Sequence, residues 1–262
     1  MAIDWKGVGE SIARAEKGGC TIGLAAVAPS GERFAHNGDR RFVAASTVKI
    51  AIMIELFRKI DAGRLTLGQV HKLKSDDKAT GGGVVLHLHD GIELTLGDLV
   101  YLMMSISDNT STNVLIDYCG MEEVNQVMRS LGMQSSVLGR KMRGRPVLPG
   151  ENENWAVPNE YAAMIAAILE ENAASPSSCQ QMIALLEKQQ NDRRIARHLP
   201  KENRPRWGTK TGTLPGAVND VGFVMTPRGP VILSVYVEKA ADTLAGEEIL
   251  GDVARAVLKA VG

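Results

Sequence analysis

The chain predicts an α+β fold: an antiparallel sheet formed by its N- and C-terminal segments, flanked by helices, with a mostly helical insert between them. Two observations lead to it. Apolar, β-branched runs lie near both ends, at residues 21–28 and 220–237, whereas residues 46–189 carry their apolar side chains at helical spacing. With 262 residues, 44% of them apolar, the chain can bury a full core, and it reads as one compact unit, 1–262. Within it, residues 1–45 and 205–262 are expected to supply the sheet and residues 46–204 the helical part.

The elements follow in order. Val8, Ile12, Ala13 and Ala15 predict a helix that Gly18-Gly19 ends. Residues 21–28 and 32–36, separated by Pro29-Ser30-Gly31, predict two strands joined by a tight turn. From Ser46 to Ala62 nearly every face is apolar, which marks a helix buried all round. Thr95 to Asp98 reads as a cap before an apolar helix that Ser107-Asp108-Asn109 interrupts, so that triplet is expected on a loop between helices, with the helix resuming over 112–119. A short helix at 120–131 precedes an irregular stretch, 139–157, too long for an ordinary connection. Helices at 158–169 and 177–189 complete the insert. Three strands follow, around Lys210, over 220–225 and over 231–237, with Pro227-Arg228-Gly229 as a turn, and an amphipathic helix over 245–261 closes the chain.

Lys plus Arg equal Asp plus Glu at 30 each, so no global field draws the chain to nucleic acid or to an anionic membrane. Neither partner is expected. Cys20, Cys119 and Cys179 are odd in number and widely spaced, which predicts free buried thiols rather than disulfides or a zinc site. His87 and His89 alternate along a short stretch without a third ligand, so no metal or other cofactor is expected. The first residues lack the basic start and apolar core of a secretory leader, which fits a cytoplasmic chain or one whose leader has been removed. No window reaches the roughly 18 unbroken apolar residues of a membrane span, and a soluble monomer is the expectation.

Three short motifs carry chemistry. In Ser46-Thr47-Val48-Lys49 a hydroxyl stands three residues before an amine, one helical turn away, as a nucleophile and its base would. Taken alone this is an ordinary helix start. Lys49, however, sits among Val48, Ile50, Ala51 and Ile52, and a buried ammonium is costly unless it is paired or neutralised. Ser107-Asp108-Asn109 adds a second hydroxyl and an amide. Lys210-Thr211-Gly212 adds a cation beside small residues on a strand, suited to a carboxylate. Each triplet is common; all three in this order describe an acyl-transfer site.

This set resembles that of the class A serine β-lactamases and the penicillin-recognising DD-peptidases. The resemblance covers nearly the whole chain and implies their sheet-plus-helical-domain fold. It implies that Ser46 is the nucleophile, Lys49 its base partner, Ser107 the proton shuttle to the leaving nitrogen and Asn109 a ligand of the substrate's amide side chain. Lys210, Thr211 and Gly212 would hold the substrate carboxylate, with Thr213 beside them, and the backbone N–H groups of Ser46 and Thr213 would form the oxyanion hole. The implied substrate is a small molecule: a β-lactam, amide or ester bearing a carboxylate. The implied activity is a serine hydrolase working through an acyl-enzyme on Ser46, with β-lactam hydrolysis first, a DD-peptidase or esterase second, and an acylated binding protein without turnover third.

One departure bears on mechanism. Class A enzymes carry a water-activating glutamate in the long loop; here the stretch reads Leu138-Gly139-Arg140-Lys141-Met142-Arg143, and a thioether takes no proton from water. Slow deacylation is therefore expected, in keeping with a subgroup that lacks the loop glutamate. Glu151 and Glu153 are read as exposed loop carboxylates that would substitute only if the loop folds inward. The loop at 80–85 is glycine-rich and has no aromatic to stack on a substrate. Asp192-Arg193 is read as a structural ion pair or helix stop, and Asp220 as a polar group at a strand end.

Overall fold

A computed structural model describes residues 2–262. Its centre is a five-stranded antiparallel sheet of order β2-β1-β9-β8-β7, in which β1 (Thr21–Val27) and β2 (Arg33–His36) come from the N-terminus and β7 (Trp207–Leu214), β8 (Ala217–Thr226) and β9 (Gly229–Glu238) from the C-terminus. The predicted α+β arrangement is thus observed. β1 pairs with β9 from Thr21↔Glu238 to Val27↔Ile232, which ties the two ends of the chain together.

Both faces of the sheet are covered. On one, α1 (Lys6–Lys17) and α8 (Thr243–Val261) lay Val8, Ile12, Leu250, Val253 and Val257 against Ile22, Leu24, Leu233 and Val235. On the other lie α2 (Lys49–Asp61), α3 (Leu96–Ser105), α4 (Asn109–Cys119), α5 (Met121–Ser130), α6 (Pro158–Leu169) and α7 (Pro176–Leu186). The all-apolar pattern of α2 has its expected consequence: every residue from Lys49 to Phe57 is buried. Local chemistry sets the ends. Thr95 and Asp98 close a capping box on α3, the Asp108 carboxylate accepts from Ser111 N–H to cap α4, and Pro158 and Pro176 open α6 and α7, where no backbone donor is needed.

The differences from expectation are local. The insert also contains short strands, β4 (Val70–Lys72) paired with β5 (Glu93–Thr95) and β6 (Trp155–Ala156) paired with β3 (Phe42–Val43). Runs of two or three residues carry no readable period. Ser46 lies in a single 3-10 turn, Ala45–Val48, and the α-helix begins only at Lys49. α4 starts at Asn109 rather than at 112, because Asp108 supplies its cap. No helix among the described residues is long and apolar enough to cross a membrane. Cys20, Cys119 and Cys179 are free and buried, as expected, and no group of residues suited to a metal occurs among the described residues.

Candidate active site

The turn that carries Ser46 rests on the edge strand β7. A Cβ at Gly212 would meet Ala44 O at 2.9 Å and Ser46 N at 3.1 Å, so only glycine lets the strand approach this closely. Asn219 on β8 donates to Val43 O at 2.8 Å, and Ala44 N–H donates to Asn154 O at 2.8 Å, fixing the segment that enters the turn. Ala45 is held at φ +47°, a strained conformation for a residue with a side chain, directly before half-buried Ser46. The Ser46 N–H thereby lies next to the strand that carries Thr213.

Lys49, Ser107 and Asn109 converge beside it. The Lys49 Nζ donates to Ser107 O at 2.7 Å and to Asn109 Oδ1 at 2.9 Å, and lies 3.0 Å from Ser107 Oγ. Lys49 is fully buried, and burial first, then the charge of Lys210, holds its pKa well below the ordinary lysine value. Two carbonyl-type oxygens take two N–H groups, so a neutral amine would turn its lone pair to the Ser107 hydroxyl. Ser107 sits at φ +62°, aimed inward from the α3–α4 connection. No hydrogen bond joins Ser46 to Lys49 among the described residues; the amine is committed to the Ser107 end.

Lys210 is also fully buried and donates to Thr211 O at 3.0 Å. Burial pushes it down to about 7, opposed by Asp220 and reinforced by Arg194. Arg194 is the residue that motif reading missed. Its Nη1 donates to Gly212 O at 2.8 Å and Asn219 O at 2.7 Å, its Nη2 to Thr213 Oγ1 at 2.6 Å, and its Nε to Glu247 Oε1 at 3.2 Å. A permanent cation thus stands under the strand end beside Thr211 and Thr213. Nothing in its sequence surroundings sets it apart from neighbouring Arg193.

Three readings of the sequence need correction. Asp220 lies inside β8 rather than at its end; it is buried, accepts from Ile195 N–H at 3.1 Å, and burial raises it to about 6. Asp192 and Arg193 are not partners: Asp192 pairs with Arg204 and Arg193 with Glu247. Glu153 is not an exposed loop carboxylate. It is buried and accepts from Arg140 Nε at 3.2 Å and Asn154 N–H at 2.7 Å, closing the neck of the long loop. Glu151 is half-buried rather than exposed, held by Arg143, Arg145 and Leu148 N–H.

Ser46 opens into a cleft of about 370 Å³, also lined by Asn109, Arg140, Met142, Glu153 and Thr213. Met142 is buried, with both backbone groups clamped by Asn113: its N–H donates to Oδ1 at 2.8 Å and its C=O accepts from Nδ2 at 3.0 Å. A second recess of about 390 Å³ lies on the other side of Thr213, lined by Ser107, Gln189, Asn191, Arg194 and Thr211. Asp108 holds the glycine-rich lip from below, its Oδ2 accepting from Val84 N–H at 2.6 Å and Val85 N–H at 2.9 Å. His87 and His89 are exposed, away from these groups.

This architecture is shared with known proteins. The chain is 57% identical to a β-lactamase from Sphaerobacter thermophilus DSM 20745 of solved structure, with a TM-score of 0.97 over 99% of this chain and 98% of that one. The structure of PBP-A aligns with a TM-score of 0.87 at 26% identity, covering 97% of this chain and 95% of that chain, and a PBP-A variant is known as its acyl-enzyme complex with penicillin G. Beta-lactamase BRO-1 of Moraxella catarrhalis is 25% identical over 84% of this chain and 71% of its own length. The family model for the beta-lactamase enzyme family matches residues 9–261, and the chain belongs to that family.

Proposed function

We propose that the protein is a serine hydrolase that opens β-lactams by acylation of Ser46 and releases the acid slowly. Attack by Ser46 Oγ on the lactam carbonyl passes its proton toward Lys49 and Ser107, and Ser107 returns a proton to the departing ring nitrogen. The oxyanion is met by the N–H groups of Ser46 and Thr213. Asn109 and the Lys210, Thr211 and Gly212 strand align the amide and carboxylate of the substrate, with Arg194 supplying fixed positive charge beneath. The observation that carries the reading is Lys49, buried and hydrogen-bonded to both Ser107 and Asn109. Apo geometry that leaves Ser46 unlinked to the amine is compatible with it, since such contacts tighten on substrate binding.

Slow release follows from the loop. Met142 holds the place of a water-activating acid, and the two carboxylates of the loop are engaged by Arg140 and by Arg143 with Arg145. That same feature supports a second reading, a DD-peptidase or esterase in which Lys49 serves again as base; the likeness to PBP-A favours it. Incubation with a chromogenic cephalosporin, followed by intact-mass measurement, separates them. Turnover with a transient adduct on Ser46 supports the lactamase, and a lasting adduct supports the peptidase-like reading. Absence of any adduct, or activity that survives Ser46→Ala, overturns the proposal.

A further inference from the structure

On the acyl side of the cleft the chain builds a cationic rim around one glycine. Gly144, at φ +63°, is seated backbone to backbone on Gly81, at φ +97°; a Cβ on Gly81 would meet Gly144 Cα at 2.0 Å, and one on Gly144 would meet Gly81 Cα at 2.2 Å. Thr80 Oγ1 donates to Arg143 O at 3.2 Å across the same seam, and Arg140 Nη2 donates to Arg145 O at 2.9 Å. The Arg143-Gly144-Arg145 segment is therefore fixed by its backbone where it lines the cleft that holds Ser46.

The charges there do not cancel. Lys141 is matched by Asp117, and Arg140 by Glu153. Arg143 and Arg145 share the single carboxylate of Glu151, at 2.6 Å and 2.8 Å. Two guanidinium groups on one acid leave a net positive charge at the mouth of the acyl arm. The Nη1 of half-buried Arg140, on the same cleft wall, is itself buried and has no partner among the described residues.

We propose that this rim selects acyl donors whose acyl side chain carries a second anionic group, in addition to the carboxylate recognised near Thr211. The inference rests on acylation of Ser46 and adds the substrate class. Branched diacid peptides and α-carboxylated β-lactams share this chemistry.

The test compares acylation rate constants for two penicillins that differ only in the side chain, phenylacetyl against α-carboxyphenylacetyl. The carboxylated probe acylates faster by about three- to tenfold at low salt, as one screened charge at the cleft mouth allows. The ratio of the two rates cancels any general loss from loosening the loop. It falls toward one in the double variant Arg143→Gln with Arg145→Gln, and rises in Glu151→Gln. A wild-type ratio at or below one, or a ratio indifferent to these variants, overturns the proposal while leaving acylation of Ser46 intact. Failure of both probes to acylate Ser46 overturns the underlying function and the proposal with it.

Discussion

The Lys49 Nζ lies 3.0 Å from the Ser107 Oγ, with its other contacts taken by Ser107 O and Asn109 Oδ1. Burial and the neighbouring Lys210 hold the Lys49 pKa well below the ordinary lysine value. The motif Ser107-Asp108-Asn109 divides its labour accordingly: the serine faces the amine, the asparagine bridges the amine to Thr80 O, and the aspartate caps α4 and holds the glycine lip.

Acylation should consequently rise with pH along a limb set by Lys49, placed well below the ordinary lysine value of 10.5. Replacing Lys49 with methionine should lower the acylation rate constant by about 10²- to 10⁴-fold and remove that limb. Stopped-flow acylation across pH checks this, and an unchanged rising limb in the variant would assign it to another group.

Stability should carry the opposite signatures of two buried groups. Burial holds Lys210 down at about 7 in the folded chain against 10.5 ordinarily, so between those values the unfolded chain binds more protons and stability rises with pH. Asp220, raised to about 6 from 3.8, makes the folded chain the better proton binder between 3.8 and about 6, so stability falls as pH rises through that window. Denaturant midpoints measured across pH should show both slopes. Lys210→Met should flatten the alkaline one and Asp220→Asn the acidic one.

What the sequence disclosed and what it withheld divide along physical lines. Long periodic elements were legible: α2 declared itself by apolar residues on every face, and β8 and β9 by β-branched runs. That Lys49, Ser107 and Asn109 meet was legible because their types and order are rarely produced by chance. Arg194 and Glu153 were not, since a charged residue is read from sequence as solvated, and the partners that hold them, Gly212 and Asn219 for Arg194 and Arg140 for Glu153, are set by the fold. The two-residue pairing of β3 with β6 was illegible for a related reason: it exists because Asn154 and Trp155 return to the segment that enters the Ser46 turn.

The Arg140–Glu153 pair should be the structural keystone of the long loop. Its two side chains are only 10% and 7% exposed, and removing one leaves the other charged and without its partner. Arg140→Ala should cost about 3 to 5 kcal/mol in unfolding free energy or, if the loop opens alone, expose residues 141–152 to proteolysis. Replacing both residues with apolar ones of similar size should recover much of that loss. Recovery in the double variant distinguishes a stranded charge from lost packing.

Position 142 offers the most direct test of the proposed slow release. Met142 lines the same cleft as Ser46, and its backbone is clamped at both ends by Asn113, so a new side chain there starts from a fixed Cα and has little freedom to swing away. In Met142→Glu a carboxylate would share the cleft with the acyl carbonyl, where it can take a proton from water as a thioether cannot. Release of the acid should accelerate by about 10²-fold or more, with acylation changed far less. The measurement is the lifetime of the Ser46 adduct by intact mass after rapid removal of free β-lactam. A shorter lifetime at unchanged acylation locates the defect at this residue. An unchanged lifetime means that the water is positioned and activated elsewhere than at this residue.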